Sequence, residues 1–465
     1  MTEQNSRLEI ATLVHVALLG VVSTWAFGGG ADWAVTLLSI IGSFAPVITW
    51  FAFQKRRSAG QRTPGALLAL WPLLGFNTLV VLGTFQPSLR IATIEGARIF
   101  IPRDDLTVWP SSARPDLALT QLWLFDAIAL SCLNLLLTIL HRRSLRTLLL
   151  ILGANALLLA IFGSLQKFVG STGLFFGRVH SPNTSFFASF IYHNHWGAYV
   201  ALMLAITIGL LFSLRPWSGY RDFWHSPALA AVVGIFFLAV TIPLSGSRSC
   251  SILAVLLLTA ALIHGLRRVA LHQQGFGKST RGPLAFLALA IVVSLTFLVI
   301  LARQSIETRV ADTQEQLARM RVEGSIGGRA QLYGDTWHMA CARPWFGWGL
   351  GSYGTAFAFY NTQHSVDNLP QYYENAHSDW LQFIAETGAI GTFFLLGFLL
   401  VPLLQLRKLR QITALPLYLF GGCGLILLYA GIEFPFGNPA VTIAFWSCLF
   451  AAVRWSQIDQ RERTG

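Results

Sequence analysis

The stretch "YENAHSDWLQFIAETGAIG", Tyr373 to Gly391, places a histidine at the threshold of a long apolar run and an acid, Glu386, inside that run. The run continues to about residue 406, which exceeds the roughly 20 residues that cross a bilayer. Similar runs recur along the chain. Of the 465 residues, 54% are hydrophobic and only 12% are charged, too few charges to solubilise a globular chain of this size. The composition therefore specifies an all-α integral membrane protein, with residues 1–465 forming a single polytopic membrane domain.

Hydropathy predicts twelve spans, at about residues 10–27, 33–53, 65–85, 117–140, 147–165, 196–214, 228–244, 251–266, 284–302, 380–406, 414–432 and 440–455. The net charge of +12 would suggest nucleic acid in a soluble protein. Here basic clusters such as "QKRRSAGQR" (54–62), "HRRSLR" (141–146) and "LRKLRQ" (406–411) alternate with less basic loops. The positive-inside rule explains that alternation, excludes a nucleic-acid partner and puts both termini on the cytoplasmic side. Membrane lipids are the expected surroundings. The five cysteines are scattered without CxxC spacing; Cys250 and Cys341 could both face an oxidising compartment and pair.

The opposite side carries loops at about 86–116 and 166–195 and a long one at 303–377, too long for a simple connector. Within the last, 305–324 and 327–344 are predicted helices, the second entered through glycines and stopped by Pro344.

Several residues at this face carry chemistry. If the tenth span starts near His377, His377, Leu381, Ile384, Gly388 and Gly391 share one helical stripe, and Asp379, Gln382 and Glu386 share another. A carboxylate facing lipid is costly, so the polar stripe is expected to pack into the bundle, with the glycines admitting a neighbouring helix. "IPLSGSRSCSIL" (242–253) sets Arg248 among small residues at a span junction, where it suits bidentate phosphate binding. Arg329 follows "GSIGG" at a helix start, a natural anion site. Lys167 and Arg178 could add to the same field. In "YHNHW" (192–196), Asn194 and His195 open the sixth span, but His193 and His195 do not share a helix face, which argues against a metal. The simpler accounts are an interfacial anchor for His377, a snorkelling side chain for Arg248 and a solvated loop residue for Arg329. Together, a histidine and two arginines at one mouth suit attack on a lipid-linked diphosphate. The guanidiniums would hold the leaving diphosphate and the histidine would take a hydroxyl proton, with no metal and no cofactor required.

Four motifs, in order, resemble the O-antigen ligase and Wzy-type polymerase family of bacterial membrane glycosyltransferases. They are "YHNHWGAYVAL" with Asn194 and His195, "SGSRS" with Arg248, "GRAQLYGDTWHMACARPWFGWGLGSYGTAF" with Arg329, and "HSDWLQFIAETGAIGT" with His377, Ser378, Gly388 and Gly391. The family core would span residues 186–406, including the loop 303–377. The resemblance implies a GT-C-like protein of the bacterial inner membrane with a periplasmic active site. Its donor would be an undecaprenyl-diphosphate-linked glycan. Its acceptor would be lipid A-core in a ligase, or a second lipid-linked glycan in a polymerase; the motifs do not separate the two. It also implies His377 as the base and the matching arginines, Arg248 and Arg329, as diphosphate ligands. A solute transporter is the alternative of another class. Asp126, Glu386 and Glu433, in or near spans, favour it; basic residues gathered at one mouth, rather than at a midplane site, oppose it.

Overall fold

The computed structural model describes residues 3–58, 68–94, 97–183, 185–214, 226–275, 328–363, 372–408 and 411–464. The chain is a bundle of apolar helices. Within the described residues they are α1 (Glu3–Trp25), α2 (Asp32–Gly42), α3 (Ala45–Ser58), α4 (Leu70–Thr84), α5 (Pro115–Thr138), α6 (Arg142–Phe168), α7 (His193–Ser213), α8 (Pro227–Ser245), α9 (Arg248–Gly275), α11 (Asp379–Leu404), α12 (Ala414–Tyr429) and α13 (Pro439–Thr464). A further helix, α10 (Gly328–Ala342), lies in the long loop. Among the described residues, nine helical stretches are long and apolar enough to cross a membrane, and α4 and α12 are shorter apolar helices. These stretches coincide with eleven of the expected spans. The twelfth, 284–302, lies outside the described residues, as does the expected helix at 305–324. The protein is thus all-α and multi-pass.

α7 and α13 run through the centre of the bundle, with α7 packed against α8, α9 and α12. Several polar side chains inside the bundle find partners on other helices, which the absence of water favours. His15 Nε2 lies 2.8 Å from Ser131 Oγ. Asn155 Nδ2 donates to Thr24 Oγ1 at 2.9 Å, and Asn77 Nδ2 donates to Asp126 at 2.9 Å. Cys250 and Cys341 do not pair: both thiols are free, Cys250 buried in the bundle and Cys341 exposed on α10.

The loops at one end build a small layer on top of the bundle. The segment expected as plain loop at 86–116 contains an antiparallel hairpin, β1 (Leu89–Ile94) with β2 (Ala97–Pro102), Leu89 facing Pro102 and Ile94 facing Ala97. α10 ends at Ala342, just before Pro344, as its sequence predicts. The buried Arg343 guanidinium lies over the Trp348 ring at 4.1 Å and donates to Ser111 Oγ (2.6 Å) and Arg103 O (2.7 Å). It thereby pins the long loop to the hairpin loop. Leu89, Leu332, Met339, Trp348, Tyr353, Phe357 and Ala376 form the apolar core of this layer.

α11 explains the acid in its apolar run. The helix is broken at Gly388, whose φ of 64° and ψ of −170° are open in practice only to glycine. The loop after α10 crosses at the break. Trp348 N and Gly349 N donate to Ala385 O and Glu386 O, while Ala389 N and Ile390 N donate to Pro344 O and Trp345 O. These four bonds replace helical hydrogen bonds surrendered at the break. The approach is close enough that a Cβ on Gly388 would sit 2.4 Å from Trp345 C, and one on Gly347 would sit 2.3 Å from Glu386 C. Gly388 therefore serves a crossing loop, where a neighbouring helix was expected. Glu386, 4% exposed, completes the join by accepting from Gly351 N (3.0 Å) and Tyr353 N (2.9 Å).

Glu386→Ala leaves two buried N–H groups without acceptors and should cost about 3 kcal/mol, whereas Glu386→Gln keeps one acceptor and should cost clearly less. Gly388→Ala should cost at least about 2 kcal/mol. Thermal unfolding of the detergent-solubilised variants measures the order; an unchanged melting temperature for Glu386→Ala would remove the anchoring role.

Candidate functional site

Four helix starts and one turn converge at the loop end of the bundle: those of α7, α9, α10 and α11, and the turn between α12 and α13. At their centre is Glu433, whose side chain is 3% exposed. Its Oε1 accepts from Arg329 Nη2 at 2.5 Å and from Asn194 Nδ2 at 3.2 Å, with the Tyr192 hydroxyl 3.5 Å away. Its Oε2 faces His377 Nδ1 at 3.5 Å, an ion-pair distance. Asn194 Nδ2 also donates to Tyr192 Oη at 2.7 Å, and Asn194 Oδ1 accepts from Ser247 Oγ at 2.7 Å. Ser247 precedes Arg248, the first residue of α9, so this chain of bonds reaches from Glu433 to the base of the exposed Arg248.

His377 does not lie on α11. Ser378 is the N-cap, with its hydroxyl accepting from Leu381 N, and the helix begins at Asp379. The expected stripe that starts at His377 is therefore corrected: the cap turns the chain one residue too early for His377 to join the helical face. His377 instead has a φ of 51°, a left-handed conformation that strains a residue with a side chain. Tyr333 on α10 holds this conformation by donating its hydroxyl to His377 O at 2.9 Å. The ring packs edge-on against Phe434 with centroids 5.0 Å apart, and His195 packs on the same ring at 5.0 Å. His195 Nε2 meets Phe434 O at 3.1 Å; because a carbonyl only accepts, that nitrogen carries the proton. Asp379 Oδ2 accepts from Phe436 N at 2.8 Å and so ties α11 to the Glu433 turn. The polar stripe of Asp379, Gln382 and Glu386 does face protein, as expected.

Burial would push the Glu433 carboxyl up, but His377 and Arg329 beside it hold it below its ordinary range. The links it makes are complete above that range and are lost as pH falls through the lowered value. Burial, with the Glu433 charge added, pushes the Tyr192 phenol up to about 12, so it remains a donor.

The structure thus gathers His377, Arg329, Asn194, His195, Ser378 and Asp379 at one mouth, with Arg248 at its edge. Lys167 lies over the Phe186 ring at 5.0 Å and Arg178 is exposed, and neither occurs among the described contacts of Glu433. The hub itself, Glu433, and its companions Tyr192 and Tyr333 were missed as site residues. Glu433 drew notice in the sequence only as an acid near a span, and no spacing ties it to residues 56 to 241 positions away.

The fold and this cluster define a multi-pass membrane protein whose ionisable groups meet at one mouth of the bundle. Residues 233–396 match the model of the family described as O-antigen ligase. The matched segment holds Arg248, Arg329, His377, Ser378, Asp379, Gly388 and Gly391, and supports a membrane protein of the O-antigen ligase or polymerase type that processes glycans. No curated protein matches the chain.

Because His377 has a positive φ, His377→Gly should melt higher than His377→Ala, by about 1 kcal/mol. Both variants lose the same imidazole, so the difference isolates the backbone. Equal melting temperatures would show that the left-handed conformation carries no strain.

Proposed function

We propose that the protein is a membrane glycosyltransferase that moves a glycan from undecaprenyl diphosphate to an acceptor hydroxyl at the periplasmic face of the bacterial inner membrane. Lipid A-core is the favoured acceptor, which makes the enzyme an O-antigen ligase. The observation that carries the reading is the single mouth at which His377, held in a strained conformation, meets Arg329 and is linked through Asn194 and Ser247 to Arg248. Strain of this kind persists where surrounding structure enforces it, and it clusters at functional sites.

In this mechanism Arg248 and Arg329 bind the diphosphate and offset its charge as it leaves. His377 removes the proton from the acceptor hydroxyl as that oxygen attacks the anomeric carbon. The side chain of His377 is 30% exposed while its Nδ1 is buried, which supports an acceptor approaching from the side away from Nδ1. No metal takes part. With both termini cytoplasmic, this mouth opens to the periplasm.

The carboxylates that favour a carrier have other uses. Asp126 pairs with Asn77, Glu386 holds loop backbone, and Glu433 sits at the mouth rather than at the bundle midplane.

The test is in-vitro transfer by the purified protein from an undecaprenyl-diphosphate glycan, with and without lipid A-core. Product only with core is expected, unchanged by EDTA, and His377→Ala should lower turnover by about 10²- to 10⁴-fold. Arg248→Ala and Arg329→Ala should abolish transfer while the proteins still insert. Chain growth without core would assign a polymerase. Full turnover by His377→Ala would remove the mechanism, and solute uptake without transfer by either protein would make it a carrier.

A further inference from the structure

We infer that Glu433 is the positioning residue for His377: it fixes the imidazole with Nδ1–H toward its own carboxylate, so that Nε2 is the nitrogen presented to the acceptor hydroxyl. This rests on the proposed role of His377 and adds a residue that neither the motifs nor the family match supplies, since Glu433 lies beyond residue 396.

The geometry divides the carboxylate between two tasks. Oε1 is taken by Arg329, Asn194 and Tyr192, while Oε2 has His377 Nδ1 as its neighbour at 3.5 Å. Oε2 and Nδ1 are both fully buried and neither makes another hydrogen bond, so each is the partner the other lacks. The distance is that of an ion pair, and such contacts commonly shorten once substrate is bound. The three bonds to Oε1 fix the carboxylate plane, and Phe434, the next residue, sets the ring's tilt. The titratable groups around the pair are Arg329 and Tyr333 on α10, Tyr192 and His195 at the start of α7, Cys250 on α9, Asp379 on α11 and Tyr429 on α12.

The step balances simply. The acceptor O–H bond breaks and its proton goes to Nε2. The oxygen's electron pair forms the new bond to the anomeric carbon, and the bond from that carbon to the diphosphate oxygen breaks with its electrons leaving on the diphosphate. His377 becomes an imidazolium facing Glu433, whose charge stabilises it; the Nδ1 proton stays where it was. Because Arg329 shares the same carboxylate, a diphosphate arriving at Arg329 competes with Glu433 Oε1. Donor binding and the orientation of the base are thereby coupled.

The experiment compares wild type, Glu433→Gln, Glu433→Asp and His377→Ala in the transfer assay, with kcat and donor KM measured separately and folding checked by thermal unfolding in detergent. For Glu433→Gln a fall in kcat of about 10²-fold is expected, with no rise in donor KM. Glu433→Asp keeps the charge at shorter reach and should recover part of kcat. If Glu433→Gln does not fold, Glu433→Asp alone should show a lower kcat at unchanged donor KM. A loss seen only as a higher donor KM in either variant, wild-type kcat in Glu433→Gln, or wild-type kcat in Glu433→Asp where it stands alone would overturn the positioning role. Full activity of His377→Ala would instead overturn the underlying assignment of the base.

Discussion

One buried carboxylate organises the mouth of this bundle. Glu433 is nearly inaccessible to solvent, and a lone charge in such a place would be expensive. It is tolerated because Arg329, His377 and the neighbouring Asn194 and Tyr192 surround it, arriving from three different parts of the chain. The constraint works in both directions. The charge needs all of these partners, so the starts of α7, α10 and α11 must meet at the α12–α13 turn, and Ser247 extends the chain of bonds to α9. A site assembled in this way is rigid, because displacing any one partner leaves the others facing an uncompensated charge.

A second constraint comes from the bilayer, which forbids unpaired backbone groups. α11 is interrupted at Gly388, and the loop after α10 enters the break to replace the missing bonds. Glu386 clamps the next turn of that loop through two backbone N–H groups. The loop layer is thus joined to a membrane helix by backbone hydrogen bonds rather than resting on it. This join sits two to three turns into the helix that begins two residues after His377, so the interruption that admits the loop also fixes how the site is presented. Gly388 and Glu386 share one purpose, where the sequence pattern alone reads helix packing at Gly388.

Much of the architecture was legible in the sequence because hydropathy is local. Apolar runs of bilayer length mark helices wherever they occur, and eleven of the twelve expected spans coincide with described helices. Pro344 and the glycines before Arg329 marked the ends of α10 for equally local reasons. The hairpin at 89–102 escaped notice because its strands are short and lie between apolar spans that dominate any hydropathy window. His377 was assigned to a helical stripe because periodicity has no means of seeing that Ser378 caps the helix after it.

What the sequence by itself determined is therefore the medium, the helical class, and the presence of a histidine and two arginines on one side of the membrane, since each follows from residue type and near neighbours. The tertiary structure alone decided that Arg329 and His377 share one carboxylate, that Glu433 supplies it, and that Lys167 and Arg178 stand outside the described contacts of Glu433. It also decided that Gly388 is a crossing point for a loop rather than a helix contact. The physical reason is range. Hydrophobic burial is recorded residue by residue along the chain, whereas an ion pair depends on where distant segments come to rest, and no spacing rule connects residue 329 to residue 433.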